Sequence, residues 1–300
     1  MEFSRLAVTM FNSEEEIVSQ KTHVHIITRP AEQLAENYLI ALLGGIWAEQ
    51  GGRVTVGPCA TLTADVGIVH TDCTLVPHEI LPDNPYGRPL LNASVLDISK
   101  RRVSKYLLTH DSDYVGPVII KTDANSFGMP ELRGYSRWGI KRMRRRATRV
   151  LPWWLLRTLG AGNYPVLPDI ASVPGWVWRR DDLVVERFIP EMEGDEYSLR
   201  IWMFFGDREY SVRLFGYSPV VKVATITRHE YLDEVPDYLR QVRKEMGMDF
   251  GKFDYVMSNG EVVLLDVNKT PTLAAKAMRS PRLMELAQGL DSFLDTEAGL

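Results

Sequence analysis

The sequence predicts an α+β chain that begins with an α/β domain, and three observations carry the prediction. The first 96 residues or so order their elements as strand, helix, strand, strand, which is half of an open α/β sheet. From about Val115 the chain turns strand-rich, with hairpins in place of simple βαβ alternation. Near its end, Gly251–Thr272 (GKFDYVMSNGEVVLLDVNKTPT) reads as two strands around Asn259-Gly260, the second ending in Asp266-Val267-Asn268.

Composition bounds the function classes. Three hundred residues are ample to bury a core, and 45% hydrophobic with 25% charged residues is the balance of an ordinary soluble globular protein. A formal net charge of −4 gives no global reason to expect nucleic acid or a membrane surface as partner. Cys59 and Cys73 are too few for a disulfide framework or a zinc site, so both are expected as reduced core thiols of a cytoplasmic protein. The N-terminal MEFSRLAVTMFNSEEEIVSQ is acidic and lacks the apolar stretch of a signal peptide. No apolar run approaches the roughly eighteen residues of a membrane span.

Taken in order, residues 1 to about 20 have little periodicity and read as an arm. His23–Thr28 alternates and is β-branched, hence a strand. A helix is expected from about Pro30 to Gln50, with Leu34, Tyr38, Leu42 and Ile46 on one face and Gly51-Gly52 as its stop. Arg53–Val56 and Asp65–His70 are the next strands. No Gly-x-Gly-x-x-Gly turn accompanies them, which argues against a dinucleotide site. His70, Asp72, Thr74 and His78 cluster just past the third strand, where α/β sheets hold ligands; turn and capping chemistry is the competing account, with His78 on the surface.

A second helix is expected over about Asp97–Thr109. Lys100 falls in its first turn, where a cation opposes the helix dipole unless an anion sits there too. Pro117–Lys121, Leu183–Phe188, Leu199–Phe205 and Glu209–Phe215 read as strands, the last two joined by a turn at Gly206-Asp207. A helix over about Val235–Met246 precedes the Asp266-x-Asn268 hairpin. The last helix opens at Ser280-Pro281, a cap followed by proline at the first helical position.

In that hairpin, Asp266 and Asn268 lie two apart and share a strand face. Asp254 joins them only if the turn has three residues, Ser258-Asn259-Gly260, or the ladder carries a bulge. A regular two-residue turn would send it to the other face. Three converging oxygen ligands suit Mg²⁺, which takes one or two carboxylates and leaves the rest to water and phosphate; a merely solvated acidic hairpin is the alternative. The segment from Arg133 to Arg149 carries Arg133, Arg137, Lys141, Arg142, Arg144, Arg145, Arg146 and Arg149, followed by LPWWLLRTL. It reads as a solvated basic helix that packs Trp153 and Trp154 inward, or as the seat of an anionic or carrier-bound partner.

The order and spacing of several of these motifs carries a resemblance. A strand ends in Ile120-Lys121; Val184-Val185-Glu186-Arg187-Phe188-Ile189 follows, then Glu193-Gly194-Asp195-Glu196-Tyr197-Ser198-Leu199-Arg200, then Asp254 and Asp266-x-Asn268. The series resembles the ATP-grasp superfamily, which includes D-alanine–D-alanine ligase and glutathione-synthetase-type enzymes, and it covers roughly Asp97 to Leu273. The resemblance implies nucleotide held between two α+β subdomains. Residues 1–20 would form an arm, 21–96 a preceding α/β domain, 97–188 the small subdomain with a basic insert at 131–150, and 189–300 the C-terminal subdomain with the metal site.

Residue by residue, the resemblance implies that Lys100 and Lys121 reach phosphate. Glu186 would accept from the adenine amino group, with the Arg187–Phe188 backbone on the ring edge and Phe188 against its face. Glu193 would hold the ribose, and Asp254, Asp266 and Asn268 would bind Mg²⁺, with Mn²⁺ an alternative ion. Lys252, Arg200 and Arg213 would face the cleft as catalytic cations. Asp266 stands where many members carry glutamate, Lys252 where arginine is common, and the loop after Lys121 (TDANSFGMPE) lacks the usual Gly/Ser richness. The implied activity is an ATP- and Mg²⁺-dependent carboxylate–amine ligase working through an acyl phosphate on small-molecule substrates. The alternatives are a phosphotransferase on the same fold and a nucleotide-binding regulatory protein, and an oligomer is compatible with either.

Overall fold

The computed structural model describes residues 22–30, 32–125, 139, 146–148, 150–160, 164–221, 225–273 and 280–294. The N-terminal arm, the loop from Ser126 and the basic segment apart from Gly139, Arg146, Ala147 and Thr148 lie outside the described residues.

The chain opens with β1 (His23–Ile27), α1 (Leu39–Glu49), β2 (Arg53–Gly57), β3 (Val66–Val69) and β4 (Leu90–Leu91). The four strands form a parallel sheet in the order β2-β1-β3-β4. Val24 and Ile26 project from it onto Leu39, Leu43 and Trp47 of α1. The helix starts at Leu39, well after the expected Pro30. Its upstream backbone is claimed by a distant segment: Leu39 N–H donates to Pro271 O at 2.8 Å and Leu273 N–H to Asn37 O at 2.9 Å, bracketing a bridge between Tyr38 and Thr272. Cys73 is buried, but Cys59 is only half-buried, so only one of the two thiols is a core residue.

Next come α2 (Lys100–Val103), β5 (Leu107–Leu108), β6 (Val118–Thr122), α3 (Trp153–Leu156), β7 (Val166–Leu167) and β8 (Leu183–Arg187). The expected long helix over Asp97–Thr109 is a single turn. Asp97 Oδ1 accepts from Ser99 N–H at 2.8 Å in a local turn. Beyond α2, Tyr106 O accepts from Arg187 N–H at 3.0 Å, and Leu107 pairs with Glu186, so the sheet takes the chain before a second turn can form. This antiparallel sheet runs β5-β8-β6-β7 and has its own core, including Val118, Ile120, Leu183 and Val185. Trp153 packs against that core, whereas Trp154 is exposed.

The third unit holds β9 (Glu191–Glu193), β10 (Glu196–Phe205), β11 (Arg208–Gly216), β12 (Arg228–Leu232), α4 (Asp237–Met246), β13 (Phe250–Ser258), β14 (Glu261–Asn268), α5 (Pro281–Ala287) and α6 (Asp291–Leu294). Its antiparallel sheet is ordered β12-β11-β10-β13-β14, with β9 also on β10. One face buries Trp202, Phe204, Phe253 and Tyr255 with Leu239 of α4. The other carries Met203, Phe205 and Phe250 onto α1 and α5, and Trp47 Nε1–H donates to Ala287 O at 2.8 Å. Ser280 caps α5 by accepting from Arg282 N–H, with Pro281 next, as the Ser-Pro pair predicts.

Candidate functional site: a cleft between two antiparallel sheets

A cavity of about 350 Å³ opens where the β5–β8 sheet meets one face of β10, β13 and β14. One end is polar, lined by Lys100, Lys121, Asn125, Lys252, Asp254, Asp266 and Asn268. The other is apolar, with Ile119, Phe188, Ile189, Leu199 and Val256.

The polar end depends on one irregularity. The β13–β14 turn is Asn259-Gly260, both at positive φ (53° and 82°), and Ser258 pairs with Glu261. That is the two-residue turn, which by itself would set Asp254 on the far face from Asp266. A bulge between Asp254 and Tyr255 corrects the register: Tyr255 pairs with Leu264, Asp254 with Asp266, and Leu265 is extra. In a bulge two residues on one strand oppose one on the other, and Leu265 and Asp266 both line the cleft. Asp254 therefore lies directly opposite Asp266, and Lys252 opposite Asn268, all on the cleft face. The bulge has a signal in the sequence, because Val262-Val263-Leu264-Leu265 breaks strand alternation with four successive apolar residues.

Lysines neutralise these acids. Lys252 Nζ donates to Asp254 Oδ2 at 3.0 Å and contacts Oδ1 at 2.9 Å. Lys100, buried at the start of α2, donates to Asp266 Oδ1 at 3.0 Å. Burial pushes the Asp254 carboxyl above its ordinary range; Lys252 opposes the shift and the Asp266 charge reinforces it. Burial works to depress Lys252 and Lys100, but the facing carboxylates outweigh it and both ammonium groups are held above their ordinary range. Among the described residues no three His, Cys, Asp or Glu converge. Two carboxylates and an amide oxygen remain a donor set that fits a hard divalent cation completed by phosphate and water. The crowding of Asp254 and Asp266 is a repulsion that such an ion would relieve.

On the opposite wall, β6 and β8 set Ile119 against Glu186 and Lys121 against Val184, so Lys121 and Glu186 share a face. Lys121 Nζ donates to Glu186 Oε2 at 2.7 Å, with both side chains buried. Glu186 Oε1 is buried with no hydrogen-bond partner among the described residues, a costly arrangement that calls for a donor. Phe188 lines the apolar end. Of the Arg187–Phe188 backbone expected on the ring edge, both amides are already engaged, Arg187 N–H to Tyr106 O at 3.0 Å and Phe188 N–H to Pro117 O at 2.9 Å. Ile189 follows in the cleft wall.

Three expected site residues stand elsewhere. Arg200 pairs with Tyr255, and Arg213 with Arg200, which puts both on the face opposite Asp254. There Glu191 binds both, at 2.8 Å from each guanidinium, and also accepts from Met257 N–H at 2.8 Å. Glu193 lies on that face too, held by Arg213 and Arg228 at 2.6 Å each. Strand alternation from Lys252 and Asp254 through the β10 register was enough to exclude Arg200 and Arg213 from the cleft once the pairing was known.

Asn125, whose backbone the sequence offers as a phosphate cradle, lines the cleft, as do Tyr164 and Leu265, which the sequence does not mark. Asn125 N–H donates to Thr74 Oγ1 at 2.9 Å, tying the start of the loop after β6 to the segment after β3. Tyr164 lies just before β7 and has no local pattern to mark it. From the flagged loop after β3, His70, Asp72 and Thr74 are buried at the junction with β14, and His78 is exposed.

No family model matches the chain, and no curated protein matches it. Solved structures do. The ATP-grasp ligase PsnB complexed with a phosphomimetic variant of its minimal precursor, Mg and ADP is 12% identical with a TM-score of 0.51, covering 91% of this chain and 98% of that one. PsnB complexed with its minimal precursor is 11% identical with a TM-score of 0.50, covering 90% and 100%. A RimK domain protein ATP-grasp from Sphaerobacter thermophilus is 12% identical with a TM-score of 0.48, covering 91% and 99%. At such identities the likeness is one of fold: the parallel N-terminal sheet, the two antiparallel sheets and the cleft between them are the ATP-grasp fold.

Proposed function

We propose that this protein is an ATP- and Mg²⁺-dependent ligase that joins a carboxylate to an amine through an acyl phosphate. The observation that carries the reading is the bulge that sets Asp254 against Asp266, beside Lys252 and Asn268, with Lys100 and Lys121 reaching the same cleft. Support also comes from PsnB, an ATP-grasp ligase of like fold that binds ADP and Mg.

In this reading the apolar end around Phe188 and Ile189 takes the adenine, and Glu186 Oε1 accepts from its amino group. Lys121 and Lys100 neutralise phosphate charge. Asp254, Asp266 and Asn268 would hold Mg²⁺ or Mn²⁺, which when bound damps the charge that builds on the transferring phosphoryl group. The substrate carboxylate attacks the γ-phosphorus and the bond to ADP breaks, giving an acyl phosphate. The amine then attacks the acyl carbon and loses a proton, while inorganic phosphate leaves with the C–O bond. Lys252, beside Asp254, is the cleft cation that steadies the acyl phosphate. Positioning and charge compensation suffice, with no side-chain nucleophile. Small carboxylates and amines are the substrates proposed, and the basic segment at 133–149 the seat of an anionic or carrier-bound acceptor.

Calorimetric titration with ATP tests the reading. Mg²⁺ should strengthen binding in the wild type, and Asp266→Ala should abolish that gain. ATP affinity indifferent both to Mg²⁺ and to Asp266→Ala would refute it. Release of ADP and free phosphate only when both organic substrates are present separates ligase from kinase.

A further inference from the structure

We propose that Asp72 is a positioning residue for the cation site: its carboxylate takes the Thr270 hydroxyl proton and so keeps a lone pair of Asn268 Oδ1 open to a divalent ion. The inference rests on the reading of Asp254, Asp266 and Asn268 as cation ligands.

Just past β14, Asn268 Oδ1 accepts from Thr270 N–H at 2.8 Å. This turn fixes which way the amide points. A carbonyl oxygen has two lone pairs, so one remains. The Thr270 hydroxyl sits between two competitors for its single proton, 3.4 Å from Asn268 Oδ1 and 3.2 Å from Asp72 Oδ1. Hydrogen bonds to a charged acceptor are roughly twice as strong as neutral ones, and the carboxylate is also the nearer acceptor. The proton therefore goes to Asp72. The other Asp72 oxygen accepts from the Tyr38 hydroxyl, and Asp72, Tyr38 and Thr270 are all buried, so the carboxylate is held in place. Take Asp72 away and the hydroxyl turns to Asn268, filling the lone pair that an ion would need.

The role belongs to the N-terminal part of the molecule, in the loop after β3, and not to the hairpin that carries the ligands. It also accounts for a buried acid that the ligase reading otherwise leaves without work.

The test is a Mn²⁺ titration of the full chain without nucleotide, following the free-ion electron paramagnetic resonance signal. Asp266→Ala checks the premise: it should lose binding, and unchanged binding would overturn both the cation site and the role of Asp72. With the premise standing, Asp72→Ala should bind Mn²⁺ roughly tenfold more weakly, the low end for loss of an outer-sphere partner. Asp72→Ala/Thr270→Val should recover the wild-type affinity, because no hydroxyl is left to occupy Asn268. A purely structural role for Asp72 would not be rescued by a second deletion. Unchanged affinity in Asp72→Ala, or a double variant as weak as the single, overturns the proposal while leaving the cation site intact. If thermal melting shows that Asp72→Ala does not fold, Asp72→Leu and Asp72→Leu/Thr270→Val give the same comparison with the volume nearly kept and no acceptor at the position.

Discussion

Two buried acids, Glu186 paired with Lys121 and Glu191 with Arg200 and Arg213, serve binding and stability respectively on the proposed reading. Glu186 shares a buried pair with Lys121, which lines the cleft, and keeps one buried oxygen unsatisfied among the described residues. Removing Lys121 alone strands a buried carboxylate, which costs about 3–5 kcal/mol. Lys121→Met/Glu186→Gln avoids that charge and should fold while losing nucleotide affinity in calorimetry; retained affinity would take the pair out of the nucleotide site. Glu191 is satisfied on both oxygens by Arg200, Arg213 and the Met257 amide, away from the cleft. Burial would raise its carboxyl, but Arg200, Met257 N–H and Arg213 together hold it below its ordinary value of 4.5. A depressed folded pKa means that the stabilisation is present above the unfolded value and disappears as pH falls through the folded one. Glu191→Gln should thus lower unfolding stability by about 3 kcal/mol near neutral pH. The gap to wild type should narrow below about pH 4.5 as the wild-type carboxylate protonates. ATP affinity should not change. A loss of affinity would return Arg200 and Arg213 to the catalytic site.

Local signals mark some turns and element ends in the sequence and leave others unmarked, and the reason is distance along the chain. Gly206-Asp207 and Ser280-Pro281 are self-contained signals, and both stand where the residues predict. The strands around Lys121 and Glu186 were legible as β-branched runs. The start of α1 and the short α2 were not, because Pro271 and Arg187, which capture the neighbouring backbone, are remote in sequence. Arg200 and Arg213 failed for a related reason: side-chain parity on β10 is set by its pairing with β13, which no local pattern displays. The bulge at Leu265 was half legible, a requirement of the Asp254–Asp266 geometry whose position only the register gives. The two hairpin glycines make a test at this scale. At Gly260, φ is +82° and an added Cβ meets nothing within 4 Å, so Gly260→Ala carries only backbone strain, about 1 kcal/mol. At Gly206, φ is +56° and the Cβ would sit 2.2 Å from Gly289 O and 2.5 Å from Ser292 Oγ. Gly206→Ala should cost several times more in urea denaturation, because the β10–β11 turn is wedged against the chain leading into α6. Equal costs would show that this contact yields freely.

At the scale of the molecule, the three sheets are not equally joined. The parallel sheet and the large antiparallel sheet share one core through α1 and α5, and Asn92 adds hydrogen bonds to the Asp249 amide and the Phe250 carbonyl. The β5–β8 sheet keeps a separate core. Its polar ties to the rest include Asn125 N–H to Thr74, with Lys100 the cation that α2 reaches across the cleft to Asp266. A unit with its own separate core opens at lower free energy than the body it leans on. Nucleotide in the cleft would touch both walls, adding Lys121, Glu186 and Phe188 on one side to Asp266 and Lys252 on the other. Binding to the folded form alone stabilises by mass action, and the gain falls on whatever opens first. Hydrogen–deuterium exchange read by mass spectrometry should therefore show faster exchange in Val118–Thr122 and Leu183–Arg187 than in Val24–Ile27 when no ligand is present. Saturating ATP with Mg²⁺ should slow the first two segments at least about a hundredfold, since ligand at a hundred times its Kd contributes about 2.7 kcal/mol. The N-terminal strand should barely respond, and Asp266→Ala should remove the Mg²⁺-dependent share of the protection. Uniform slowing of all three segments would mean that the molecule opens as one body and that the cleft is not its weakest seam.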